Sequence, residues 1–243
     1  MIDLHCHILP GIDDGAQNIE DALAMAQSAV AAGTRYLVAT PHIHAGRYEN
    51  THLTIQPAWD KLVDALDEAK SPLRLSWAAE VRLCPEIMDM VSSEHMPWLG
   101  EYEGNKVFLL EFPHSHIPPG SERLTQWLIN QNITPMIAHP ERNKDVLRDL
   151  DKINPFVAQG CMLQVTAGSL AGLFGPPAAQ RAIELLEKQW VNIIASDGHN
   201  LNHRPPELQS GYKVASQLMG EAYAKRLCSE TPAKIASYHF PEL

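Results

Sequence analysis

The sequence predicts an α/β fold, a TIM-like (β/α)7 barrel, on three observations. Seven short β-prone runs alternate with amphipathic helical stretches, the pattern of a parallel sheet whose crossovers are helices. Six of those seven runs end in His, Asp or Glu, and in parallel barrels the C-terminal strand ends converge on one mouth. The length of 243 residues suits one such barrel, so a single domain over 1–243 is expected.

The elements follow in order. Ile2 to Cys6 reads as the first strand. Asn18 caps a helix whose face is Ala22, Leu23, Ala26, Ala29 and Val30, with Gly33 as its stop. Tyr36 to Ala39 is the second strand, closed by Thr40-Pro41-His42. Trp59 to Ala69 is expected to be helical, and Leu73 to Ala79 is the third strand, ending at Glu80. Lys106 to Leu110, ending at Glu111-Phe112-Pro113, is the fourth. A helix near Glu122 to Asn130 precedes the fifth strand, Thr134 to Ala138, which ends at His139-Pro140. Met162 to Val165 is the sixth, followed by a helix over Ala178 to Gln189. Val191 to Ala195, ending at Ser196-Asp197-Gly198-His199, is the seventh. Helices over Glu207 to Leu218 and Glu221 to Cys228, and a short one opened by Thr231-Pro232, complete the chain.

Composition narrows the function classes. A formal net charge of −10 disfavours nucleic acid as the main partner, because a phosphate backbone attracts basic surfaces. No run reaches the ~18 apolar residues of a membrane helix, so no membrane insertion is expected. The start Met1-Ile2-Asp3-Leu4-His5 lacks the basic head of a signal peptide, and a cytoplasmic location is expected. Cys6, Cys84, Cys161 and Cys228 are scattered, with neither zinc spacing nor a disulfide framework. Cysteine-based phosphatase chemistry needs an arginine six positions after the thiolate. Ile12, Met90, Ala167 and Lys234 stand there instead.

The twelve histidines are unusual, and their placement is more so. His5 and His7, two apart on a strand, share a face, with Cys6 on the other. A lone strand-end His or carboxylate is commonly a hydrogen-bonded surface group or a helix cap. Convergence of His5, His7, Asp14, His42, Glu80, Glu111, His139, Asp197 and His199 on one partly buried mouth is different, since such groups are costly to bury unless a cation pairs with them. Mixed His and carboxylate donors without thiolate suit Mn first, with Fe and Zn as alternatives. Nine candidates exceed one ion's shell of about four to six groups, so two or three divalent ions are expected. Three such ions would outweigh the charge of Asp14, Glu80, Glu111 and Asp197, which favours a phosphate ester as substrate. Arg142 and Arg204, just after the fifth and seventh strands, are expected at the rim, where guanidinium forks grip phosphate.

Six segments carry a resemblance to the polymerase-and-histidinol-phosphatase (PHP) family. They are Asp3-Leu4-His5-Cys6-His7, Thr40-Pro41-His42, Ala79-Glu80, Leu110-Glu111, Ile137-Ala138-His139-Pro140-Glu141-Arg142 and Ala195-Ser196-Asp197-Gly198-His199. The resemblance implies a distorted (β/α)7 barrel with a trinuclear metal centre. Within the family the chain resembles the bacterial protein-tyrosine phosphatases of capsule and exopolysaccharide loci, through the stretches from His5 to Gly15, Ile137 to Arg142 and Ser196 to Pro206. That narrower likeness implies one metal on His5, His7, Glu80 and Asp197, a second on Glu80, Glu111 and His139, and a third on Asp14, His42 and His199. Asp13 is the rival to Asp14. It also implies hydrolysis of phosphotyrosine on the tail of a bacterial tyrosine kinase. His44, His114, His116 and His203 fall outside the pattern and read as loop residues. Two other readings stand beside this one: a small-molecule phosphatase, for instance of histidinol phosphate, and a metal-loaded regulatory domain without turnover.

Overall fold

The computed structural model describes residues 1–243. In chain order the elements are β1 (Ile2–Cys6), α1 (Ile19–Ala31), β2 (Tyr36–Ala39), β3 (His42–Ile43), α2 (His52–Glu68), β4 (Arg74–Trp77) and β5 (Glu80–Arg82). Then come α3 (Ile87–Ser92), β6 (Gly100–Tyr102), β7 (Asn105–Glu111), α4 (Ser121–Ile129), β8 (Ile133–Ala138), α5 (Lys144–Arg148) and α6 (Asn154–Gln159). The last are β9 (Met162–Thr166), α7 (Ala167–Leu170), α8 (Pro176–Glu187), β10 (Ile193–Ala195), α9 (Gln209–Met219), α10 (Glu221–Lys225) and α11 (Thr231–Ala236).

The strands form seven parallel staves. One sheet runs β1-β2-β4 and the other β3-β5-β7-β8-β9-β10. The two are halves of one ring, because the second and third staves each break in the middle. Thr40-Pro41 separates β2 from β3, and Ala78-Ala79 separates β4 from β5. Across those breaks Ala78 N still donates to Ala39 O (2.8 Å) and Glu80 N to Pro41 O (3.1 Å). The ring closes where Cys6 pairs in parallel with Gly198 just beyond β10, His7 N donating to Gly198 O at 2.8 Å. Only β6 is antiparallel, a short hairpin partner of β7 that the sequence pattern does not signal.

Helices cover the outside. The Asn18 side chain caps α1 by accepting from Asp21 N at 2.8 Å, Glu20 and Asp21 favour its positive end, and Ala22, Met25, Ala26 and Ala29 pack inward. Helix α2 starts seven residues before the expected Trp59. Pro57 suggests a break in the sequence, but the Thr51 capping box and the buried stripe Ile55, Ala58, Leu62 and Leu66 carry the helix through it.

Inside the barrel, Leu4, Val38, Val107, Leu109, Met136, Met162 and Ile193 fill the lower half, and Ile235 and Ala236 of α11 with Phe240 just beyond it close the floor. The register of β1 shifts between Asp3 and Cys6. This bulge places Leu4 in the lower interior and still turns His5 and His7 inward above it, with Cys6 packed outward. Asp3 holds the bulge, its Oδ1 accepting from His5 N (3.3 Å) and Ser196 N (3.0 Å).

Candidate functional site

All nine singled-out His and carboxylate residues meet at the C-terminal mouth. Strand β1 delivers His5, the residue just past its end is His7, and the following turn delivers Asp14, β3 His42, β5 Glu80 and β7 Glu111; the turns after β8 and β10 deliver His139, Asp197 and His199. Two of these turns are strained. His139 (φ 32) and Asp197 (φ 50) adopt the left-handed region, which costs non-glycine residues about 1–3 kcal/mol each and concentrates at functional sites. Backbone bonds hold both, His139 N to Gln164 Oε1 (3.2 Å) and Asp197 N to His5 O (2.7 Å). Gly15 is required where its turn crosses β1, because a Cβ there would lie 1.9 Å from the His7 carbonyl oxygen.

The polar atoms are closely spaced. His5 Nε2 lies 3.2 Å from His7 Nε2, 3.4 Å from Glu80 Oε2 and 3.3 Å from Asp197 Oδ1. His7 Nε2 is 3.4 Å from Glu80 Oε2 and 3.5 Å from Asp197 Oδ1. His42 spans the mouth, with Nδ1 3.0 Å from Glu80 Oε2 and Nε2 3.3 Å from Asp14 Oδ1, while His199 Nε2 is 3.6 Å from the same Asp14 oxygen. His139 Nε2 bonds Glu80 Oε1 at 2.7 Å.

Four overlapping groups could hold a metal ion: His7, Asp14, His42 and His199; His5, His7 and Glu80; His5, His139 and Asp197; and His42, Glu80 and Glu111. The donors fit. Glu80 Oε2, Asp197 Oδ1, His42 Nδ1 and His199 Nε2 are buried without a well-formed hydrogen bond, a costly state that a cation would relieve. A cation seated on the triangle of His5 Nε2, His7 Nε2 and Glu80 Oε2, whose edges are 3.2–3.4 Å, would lie about 2 Å from each atom, the usual length of a bond from zinc to nitrogen or oxygen.

The electrostatics state the same demand. Burial works against charge on His42, but Glu80, Asp14 and Glu111 outweigh it and hold the imidazole up at about 11. Burial likewise opposes charge on His7, and Asp13 holds it at about 9. Burial and the neighbouring Arg142 press His139 down to about 3; burial and His7 press His199 down to about 4. Burial and Glu80 raise Glu111 to about 7. The carboxylates thus draw protons onto two imidazoles where divalent ions would otherwise supply the positive charge.

Asp13 and Asp14 separate cleanly. Asp13 Oδ2 accepts from His7 Nδ1 (2.8 Å) and His42 N (3.0 Å), and its Oδ1 from Gly15 N (2.9 Å). Its oxygens are spent behind the imidazole, whereas Asp14 faces His42 and His199. The arginines are at the mouth as expected, lining a cavity of about 260 Å³. Both Nη2 atoms bond Asp197 Oδ2, that of Arg204 at 2.5 Å, and both guanidinium groups rest by the Phe174 ring, at 4.6 Å for Arg142 and 5.8 Å for Arg204. Of the remaining histidines, His114 lines the cavity, His44 pairs with Tyr48 in a tight hairpin, and His116 and His203 are exposed.

Three residues at the site escaped the sequence reading. Gln164 on β9 accepts from His5 Nδ1 at 2.9 Å, and its only local signal is a polar residue inside an apolar run. Arg82 forks onto Glu111 through Nε (2.9 Å) and Nη2 (3.0 Å); its position two residues after Glu80, on the same face, was the available sign. Phe174 has no local signal.

The family model described as "Capsular polysaccharide synthesis, CpsB/CapC" matches residues 1–237. The chain is 35% identical over 220 residues to the tyrosine-protein phosphatase YwqE of Bacillus subtilis, covering 90% of this chain and 85% of that one. It is 28% identical over 241 residues to the tyrosine-protein phosphatase CpsB of Streptococcus pneumoniae, covering 97% and 98%. A crystal structure from work on YwqE and CpsB, described there as unique metal-dependent tyrosine phosphatases, superposes with a TM-score of 0.89 at 33% identity, covering 96% of this chain and 93% of that one. No helix is long and apolar enough to cross a membrane.

Proposed function

We propose that this chain, which belongs to the CpsB/CapC family of capsular polysaccharide synthesis, is a metal-dependent protein-tyrosine phosphatase. The observation that carries the reading is the meeting of nine His and carboxylate side chains, with unpartnered inward atoms, beside two arginines in one cavity. The ligands are His5, His7, Asp14, His42, Glu80, Glu111, His139, Asp197 and His199, holding two or three divalent ions, manganese foremost. The substrate is a phosphotyrosine protein, the tail of a bacterial tyrosine kinase that controls capsule or exopolysaccharide synthesis, and the reaction is cytoplasmic.

Divalent ions bound here supply charge to the phosphoryl oxygens and lower the pKa of attacking water. The chain's own residues do the rest. Gln164 fixes His5 and Asp13 fixes His7 with their Nδ1 protons turned outward, so both Nε2 lone pairs face the centre. Asp197 and Phe174 steady the Arg142 and Arg204 forks, whose other N–H groups are free to bind the phosphoryl oxygens as charge builds on them. Asp14 rather than Asp13 is the ligand, because only Asp14 has oxygens left for one.

Protein stripped with a chelator and reloaded with Mn(II) tests this on a phosphotyrosine peptide and on histidinol phosphate. Stripped protein is expected to be inactive, and reloading restores hydrolysis with the peptide preferred. Preference for histidinol phosphate, or full turnover without metal, would overturn the assignment.

A further inference from the structure

One side of the mouth is basic in a way the phosphoryl site does not require. It is built from the loops after four consecutive staves. The His44–Tyr48 hairpin after β3 carries Arg47, β5 carries Arg82, the loop after β7 carries His114, the turn after β8 carries Arg142, and Lys144 opens α5. Arg47, Arg82, His114 and Arg142 line the same cavity, and Lys144 is joined to His114 by its backbone N–H on the His114 carbonyl at 2.9 Å.

The accounting of partners separates these cations into two kinds. Arg82 is committed to Glu111, and Arg142 to Asp197. Arg47 and Lys144 are exposed and have no carboxylate partner. The nearby acids on the same loops are spent elsewhere: Glu49 accepts from Gly46 N at 2.5 Å, and Asp145 from Ile117 N at 3.0 Å and Arg148 Nη1 at 3.1 Å. Arg47 is set in place by stacking, its guanidinium 5.0 Å from the Tyr48 ring, which lies parallel to His42 at 5.4 Å. Partial burial, then Lys144, Arg142 and Arg82, depress His114, so three cations of this side act on it. In a chain of net charge −10, two cations without a carboxylate partner, one lining the cavity and one bonded to a residue that lines it, form a local exception.

We infer that Arg47, which lines the cavity, and Lys144, joined to His114 at the cavity's edge, form a subsite for acidic side chains flanking the phosphotyrosine, so that the preferred substrate is an acidic phosphopeptide. This rests on the phosphatase reading for the phosphate and adds what the rest of the polypeptide must offer. The attraction is between exposed charges, so it acts on binding and is screened by salt.

Two phosphotyrosine peptides of equal length, one with glutamates and one with glutamines around the tyrosine, test the inference on the Mn(II)-loaded protein. Hydrolysis and direct binding by fluorescence anisotropy are both measured. At low salt the glutamate peptide is expected to have a kcat/KM higher by about five- to tenfold, carried by KM, with the advantage shrinking as salt rises. In the Arg47→Ala/Lys144→Ala double variant the ratio between the peptides should fall to about one. Equal kcat/KM for the two peptides in the unmodified protein overturns the subsite, as does a preference that survives in the double variant. If neither peptide is cleaved, the phosphatase reading fails by itself, and the subsite then stands or falls on whether the glutamate peptide binds more tightly.

Discussion

The lower and upper halves of the barrel interior are built by the same strands and solve opposite problems. Below, Val38, Val107, Met136, Met162 and Ile193 meet Ile235 and Phe240, and every side chain gains by leaving water. Above, a few residues further along the same staves, His5, His7, Glu80 and Asp197 are equally buried but carry groups that lose by it. The apolar half needs no ligand. The polar half leaves four inward oxygen and nitrogen atoms, on Glu80, Asp197, His42 and His199, without a well-formed hydrogen bond, and cations would complete it. Stability and chemistry are therefore divided along the barrel axis, with Leu4 and His5 as adjacent residues on either side of the divide, made possible by the β1 bulge.

The largest expected effect on turnover comes from the upper half. Glu80 touches His5, His7, His42 and His139, more of the mouth's histidines than any other carboxylate. Glu80→Gln keeps the shape and removes the charge proposed to pair with the ions. Mn content should fall and phosphotyrosine hydrolysis should drop by more than the ~10–100-fold typical of altering a residue behind the ligands. Elemental analysis and a peptide assay measure both. Retained metal with near-normal turnover would show that the polar half does not depend on this carboxylate.

The complementary change is at the floor. Phe240 is buried against Tyr36, ring centroids 5.1 Å apart, at the end of the barrel opposite the mouth. Phe240→Ala should lower stability by about 3–5 kcal/mol in a denaturant titration. Metal content and kcat of the folded fraction should stay near those of the unmodified protein. Loss of metal in step with stability would mean that the halves are coupled and the division is wrong.

The same division governs what the sequence could reveal. Strand-end His and carboxylate residues stand out because nothing in an apolar core calls for them, so all nine were legible as a group, as were the seven staves that carry them. Choosing Asp14 over Asp13 was not legible, since it depends on which carboxylate turns behind His7. Gln164 was missed because its partner His5 is 159 residues away and a strand pattern holds no record of that pairing. The short helices α3, α5, α6 and α7, of four to six residues, are too brief for a 3.6-residue period to show. The breaks in the second and third staves leave no local signal beyond Pro41 at one of them.

The smallest expected effect is at Cys6, which lies between two ligand positions yet belongs to the outer apolar layer. Burial, followed by Asp3, pushes its thiol well above the ordinary range, which disfavours a thiolate at neutral pH. Its Sγ makes only a long contact of 3.5 Å with Gly198 O. Cys6→Ala should cost about 1 kcal/mol of stability and leave kcat/KM within about twofold, and iodoacetamide should not inhibit the folded, metal-loaded protein. Strong loss of activity in either experiment would place Cys6 in the chemistry. It would also erase the boundary between the faces of β1, on which the contrast of the two halves depends, because the residue between His5 and His7 would then serve the mouth as they do.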